Sequence, residues 1–110
     1  MDETPNTDSR DVTEPDRPNS ERYVLRLYVA GNSPRSQRAV RNLSRICQSY
    51  FEDCEIEVID IYHERERARV QQIVGAPTLI KELPLPLRRL IGDLSDEKKV
   101  FAALDIETST

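Results

Sequence analysis

The chain is short of almost every residue that enzymes use at their centres. Among 110 residues there is no tryptophan, one histidine, two cysteines and three glycines. Gly31, Gly75 and Gly92 are far apart in sequence, so no glycine-rich loop can cradle a phosphate. His63 is the only histidine and stands in the charged run YHERERAR. It supplies neither a His/Cys metal set nor a poised base for a Ser-His-acid arrangement, and a surface or packing role is expected. Cys47 and Cys54 stand seven apart, outside the C-x-x-C redox spacing and outside a metal knuckle. Cys47 falls in phase with apolar helix positions and reads as a buried, inert thiol; Cys54 reads as near-surface, at a helix-to-strand junction. No metal and no cofactor is expected.

Long apolar runs and basic excess are also missing. No stretch approaches the ~18 apolar residues of a membrane span, and the N-terminus is acidic where a signal peptide would be basic and then apolar, so the cytoplasm is the expected compartment. The formal net charge is −4. Residues 1 to 22 hold seven acids and three bases, whereas residues 23 to 110 hold thirteen of each. A neutral domain lacks the charge that drives phosphate-backbone binding. That leaves Arg38, Arg41 and Arg45, recurring along one predicted helix face, as the single candidate for nucleic acid, against the plainer reading of a solvated face.

What is present divides into a tail and a domain. Residues 1 to 22 contain Val12 as their one aliphatic residue beyond Met1, with three prolines and many polar residues. Such a segment buries too little apolar surface to offset its ordering entropy and is predicted to be disordered. From Tyr23 the pattern changes. YVLRLYVA, with one charge, predicts a central strand apolar on both faces. Ser33 and Pro34 are an N-cap and first-position pair for a helix reaching Tyr50, carried by Val40, Leu43, Cys47 and Tyr50. EIEVIDI predicts a second strand. Tyr62 to Val74 predicts a short helix docked through its last turns by Val70, Ile73 and Val74. Pro77 precedes a third strand, Thr78 to Lys81; ELPLP turns the chain; Leu87 to Ile91 returns antiparallel. Ser95 is placed to cap a last helix carrying Val100, Phe101 and Leu104, and residues 106 to 110 are expected to fray.

Strand, helix, strand, helix, strand, strand, helix is the plan of a single α/β thioredoxin-like domain. A thioredoxin dithiol would sit after the first strand, where this chain has Asn32-Ser33-Pro34-Arg35. With no sulfur there, thiol exchange by the usual route has no nucleophile. An atypical redox site using Cys47 or Cys54 is the enzymatic alternative, and a binding module is the better fit.

YVLRLYVAGNSPRSQRAVRNL, EVIDI, APTL and above all LPLPLRRLIGDLSDEKKV together resemble the KaiB family, the small components of the bacterial circadian clock, across residues 23 to about 105. The resemblance implies a protein without catalytic activity that binds the ATPase ring of a KaiC-type partner, with a KaiA-like protein or a histidine kinase as further partners, in circadian timing or a related stress role. It implies two folds for one sequence, a tetrameric ground state and a monomeric thioredoxin-like state that binds the partner, differing from about Tyr62 onward. The partner surface then maps to the second strand and following helix, with Glu57, Tyr62, Glu64, Arg65 and Arg67 as contacts. Pro77 is the expected cis-proline. Gly92, Asp93, Ala103 and Asp105 are the positions that bias the choice of fold. Ala103 stands where the family usually has glycine, and Ala favours helix by ~1 kcal/mol; the sequence also ends at IETST without a longer apolar segment. Both favour the thioredoxin-like state.

Overall fold

The computed structural model describes residues 22–106. The predicted tail, apart from Arg22, and residues 107 to 110 lie outside them. Seven elements follow in the predicted order: β1 (Tyr23–Val29), α1 (Pro34–Tyr50), β2 (Cys54–Asp60), α2 (Arg65–Val70), β3 (Thr78–Leu83), β4 (Arg88–Ile91) and α3 (Glu97–Leu104). The sheet order is β2-β1-β3-β4. β1 and β2 run parallel, Tyr23 opposite Cys54 through Val29 opposite Asp60, while β3 is antiparallel to both β1 and β4.

Period-two alternation sorts β1 between two layers. Tyr23, Leu25, Leu27 and Val29 join Ala39, Leu43, Ile46, Cys47 and Phe51 from α1 and its end, and Val100 and Leu104 from α3, in the main core. Tyr28 faces the other way and packs with Ile59, Ile80 and Ala68 of α2. Leu25, Leu27, Leu43, Val100 and Leu104 are fully buried, and each side chain so removed from water contributes ~1.5–3 kcal/mol. The Tyr23 hydroxyl donates to the Leu104 carbonyl at 3.1 Å, tying the start of β1 to the end of α3.

The helix start predicted at Ser33 is as drawn: its Oγ accepts the Ser36 N–H at 3.2 Å, and Pro34 follows at the first helical position. Three local expectations need correction. First, only Arg65–Val70 of the charged segment is helical, and Val70 and Val74 are exposed (65% and 88%). Gln72 adopts a left-handed φ of 56° and the Ile73 N–H reaches back to the Ala68 carbonyl at 2.9 Å, a helix-terminating closure. The turn directs Ile73 to the sheet alongside Ala68 and leaves Val74 in solvent, while Val70, two residues on from buried Ala68, falls on the opposite, solvent face of α2. Second, Asp96, not Ser95, caps α3, accepting the Lys99 N–H. Ser95 instead donates its N–H and hydroxyl to Asp93 Oδ1 at 3.1 and 2.7 Å. Third, Ile106 does not fray: Asp105 takes a left-handed φ of 58°, the Ile106 N–H bonds the Phe101 carbonyl at 2.9 Å, and the Ile106 side chain packs on the core.

The strand after Pro77 runs on to Leu83, two residues beyond the expected Lys81, with a register irregularity opposite Val24 and Leu25. The Ala76–Pro77, Leu83–Pro84 and Leu85–Pro86 peptide bonds are all cis.

Candidate functional site

The β1–α1 turn, where a thioredoxin-like enzyme would carry its dithiol, is built from hydroxyls. The Ala30 N–H and the Ser33 hydroxyl both donate to Ser36 Oγ, at 3.0 and 2.9 Å, and the Gln37 amide closes on the Asn32 carbonyl at 3.0 Å. Ser36 is buried and its oxygen is occupied by these donors, so the turn is a structural joint. Among the described residues no group of three His, Cys, Asp or Glu side chains could hold a metal ion, and no helix is long and apolar enough to cross a membrane.

The outer layer is more informative. α2 covers part of the sheet face that carries Tyr28, Ile59 and Ile80, and beside it the same face carries an ion-pair array centred on Arg26 and Glu57. Arg26, in the middle of β1, reaches Glu55 at 3.5 Å and Glu57 at 3.1 Å on β2, and Glu82 at 3.3 Å on β3. Arg22 also pairs with Glu55. Arg67 of α2 grips Glu57 with both guanidinium nitrogens, at 2.7 and 2.8 Å, and lies 3.6 Å from Glu64. The bidentate Arg67 bond holds the Glu57 carboxyl below its ordinary pKa, and pairing with Glu57 in turn raises Arg67. The Arg22 and Arg26 guanidiniums lower Glu55 in the same way. Glu55, Glu57 and Arg67 therefore stay charged at neutral pH.

All five residues expected to contact a partner lie along the β2–α2 connection. Glu57, Arg67 and Glu64 are linked directly. Tyr62 is 59% exposed, its N–H held by Asp60 Oδ1 at 2.9 Å, with its ring 3.7 Å from where a Cβ on Gly31 would stand. The Arg65 Nε–H donates to the Tyr62 carbonyl at 3.3 Å. Glu55 lies in the second strand, where the partner surface was expected, whereas Arg26 and Glu82 were not foreseen as parts of this surface. The signal was present, since Arg26 is the one charge inside YVLRLYVA, but its role depends on which strands flank β1.

The arginine stripe on α1 meets acids of its own chain. Arg38 pairs with Asp93 at 3.0 Å and Arg45 with Glu97 at 3.4 Å, while Arg41 borders a cavity of about 430 Å³ with Gly31, Asn32, Val40, Val58 and Asp60. Two of its three charges are thus locally compensated. Asp93, bonded by the Ser95 hydroxyl, Arg38 and the Ser95 N–H, has its carboxyl pKa lowered to about 2. On the main-core face, Lys81 is buried (1% exposed) and its ammonium meets Asp105 at 2.5 Å, with Arg88 3.8 Å from the same carboxylate. The Lys81 bond lowers the Asp105 pKa. Three of the four positions expected to bias the fold therefore sit in defined contexts: Asp93 in the turn before α3, Ala103 within α3, and Asp105 closing it. Gly92 has a φ of 134°, and its N–H bonds the Pro77 carbonyl at 2.9 Å.

Comparison with known proteins agrees with this architecture. The fold is similar to the N-terminal domain of SasA from Synechococcus elongatus, with a TM-score of 0.64 at 22% identity, over 82% of this chain and 90% of that one. It is equally similar to mitochondrial thioredoxin 3 from Saccharomyces cerevisiae, with a TM-score of 0.64 at 15% identity, over 80% and 82%. In sequence, the circadian clock protein KaiB3 of Synechocystis sp. is 51% identical over 86 residues, 77% of this chain and 84% of its own. The circadian clock oscillator protein KaiB of Synechococcus elongatus is 47% identical over 85 residues, 76% and 83%. The KaiB domain model matches residues 26–106, nearly the whole described region, and the chain belongs to the KaiB family with a thioredoxin-like fold.

Proposed function

We propose that this protein is a non-enzymatic regulator that binds the ATPase ring of a KaiC-type partner through the β2–α2 surface and modulates that partner's cycle in circadian timing or a related signalling role. The observation that carries the reading is the array centred on Glu57 and Arg67, beside exposed Tyr62 and Val58 (59% and 47%). Alternating fixed charges around an exposed aromatic suit recognition of a protein surface, where charges set register and the aromatic supplies contact area. Membership of a family whose relatives are clock proteins supports a clock protein as the partner. The binding state is the thioredoxin-like monomer, and the tetramer belongs to the alternative fold.

Size-exclusion chromatography of the full chain with the KaiC-type ATPase of its own organism tests this. A complex should form with ATP or ADP after long incubation and weaken in the Arg67→Glu variant. Absence of a complex under every nucleotide condition overturns the proposal. A salt-sensitive gel shift with DNA or RNA would favour the arginine stripe of α1 instead.

A further inference from the structure

The two cysteines take no part in the surface just described; Cys47 is buried and Cys54 partly exposed at the helix-to-strand junction, as expected, and the fold brings the two together. Cys47 lies in the last turn of α1, its carbonyl accepting the Phe51 N–H at 3.1 Å. Cys54 opens β2 as the register partner of Tyr23. Both are free thiols, and their Sγ atoms are 2.8 Å apart. The loop between them is fixed at both ends. The Tyr23 N–H donates to the Asp53 carbonyl at 2.9 Å, and Phe51, buried, stacks on the Tyr23 ring with centroids 3.8 Å apart. The stack and that bond hold the backbones that carry Cys47 and Cys54 beside each other.

A depression of about 290 Å³, lined by Ser44, Gln48, Glu52 and both cysteines among others, gives small molecules access to the pair. The two thiols are unequal. Hydrogen bonding between them, with burial, raises Cys47, whereas the same bond lowers Cys54 against the opposing effects of burial and the Asp53 charge. Cys54, half-exposed, is the sulfur that ionises first, and Cys47 is the resolving thiol beneath it.

We propose that Cys47 and Cys54 form a reversible intramolecular disulfide by exchange with low-molecular-weight disulfides, making the α1–β2 junction an oxidation site. The Cys54 thiolate attacks one sulfur of a disulfide RSSR; that S–S bond breaks and RS⁻ leaves, to be protonated by solvent. Cys47 then loses its proton to solvent and attacks Cys54 Sγ, the mixed S–S bond breaks, and a second RS⁻ leaves and is protonated. Two protein thiols are oxidised by two electrons to one disulfide, and RSSR is reduced to two RSH. Closing the bond needs the sulfurs to approach by less than ~1 Å.

The test uses the full chain in glutathione buffers of graded oxidised-to-reduced ratio, acid-quenched and read by intact mass. The expected product is a loss of ~2 Da, with no adduct and reversed by dithiothreitol, and with Cys47 and Cys54 linked in the peptide map. In non-reducing melts the oxidised form should unfold roughly 5 °C or more above the reduced form. Cys47→Ser should accumulate a glutathione adduct on Cys54, because nothing resolves it. Both thiols remaining free in fully oxidised glutathione, or a stable mixed disulfide on the unsubstituted protein, overturns the proposal without involving any variant. An adduct on Cys47 in Cys54→Ser, at a rate matching that of Cys54 in Cys47→Ser, overturns the assigned order of attack.

Discussion

Asp93 accepts bonds from the Ser95 hydroxyl, Arg38 and the Ser95 N–H, which hold its carboxyl at about 2, well below the ~3.9 of an unfolded aspartate. A carboxylate depressed in this way adds stability that is complete above its unfolded pKa and disappears as pH falls through its folded one. Melting temperature should therefore drop as pH is lowered from about 4 to about 2, with Glu55, Glu57 and Asp105 shifted in the same direction. Asp93→Asn keeps acceptors for the turn and should flatten that drop; an unchanged slope would remove Asp93 as a source. Lys81 and Asp105 give a second residue-scale prediction. Lys81 is 1% exposed and Asp105 41%, so Asp105→Asn, which tolerates the left-handed backbone, leaves a buried ammonium without its counter-charge and should cost about 1–3 kcal/mol. Adding Lys81→Met should return most of that loss, as read from urea midpoints. Neither arrangement was legible from the chain, since Lys81 and Asp105 are 24 residues apart and meet only because β3 lies beneath the end of α3.

At the scale of elements, the sequence carried most of the information. Ser33 and Pro34 mark the start of α1 by local chemistry alone, because a hydroxyl acceptor and a residue lacking an N–H both suit an uncapped first turn. Ser33→Ala should cost about 1 kcal/mol or more, since Ser33 Oγ also supports Ser36 and through it the Ala30 N–H. Within α3, Ala103→Gly should cost about 1 kcal/mol, measured by denaturant melts, with chemical shifts showing whether residues Leu87 to Ile91 keep their strand signature. A shift of that segment to helix would indicate that Ala103 sets the fold. The misreadings occurred where backbone reversals are made by residues that do not announce them. Gln72, Leu94 and Asp105 all have positive φ, where glycine is the usual signal. Gln72 ended α2 and left Val74 in solvent, Leu94 precedes the Ser95 turn that leaves the cap to Asp96, and Asp105 kept Ile106 on the core.

For the whole molecule, the sheet gathers scattered charges into one surface. Arg67→Glu sets a negative charge against Glu57 and Glu64; because these groups are about a third to a half exposed, the change should cost the fold no more than about 1 kcal/mol. It should weaken capture of a KaiC-type ATPase by about tenfold or more, and Tyr62→Ala should act similarly, as aromatic anchors do at interfaces. Retained affinity in both variants, measured by surface plasmon resonance, would move the binding surface elsewhere. The hairpin apolar residues Leu85, Leu87 and Ile91, 74%, 54% and 61% exposed, would then be the next region to substitute.

By itself the sequence determined the order of elements, the apolar strand and helix faces, the absence of a dithiol at the β1–α1 turn and the family, because propensity, capping and period are encoded within a few residues of one another. Tertiary structure alone decided that Arg26 lies among three carboxylates, that Lys81 finds Asp105, and that Cys47 and Cys54 share one depression. Strand order and loop path set those distances. A spacing of seven residues is the same in sequence whether two sulfurs end 2.8 Å apart or on opposite faces of the domain.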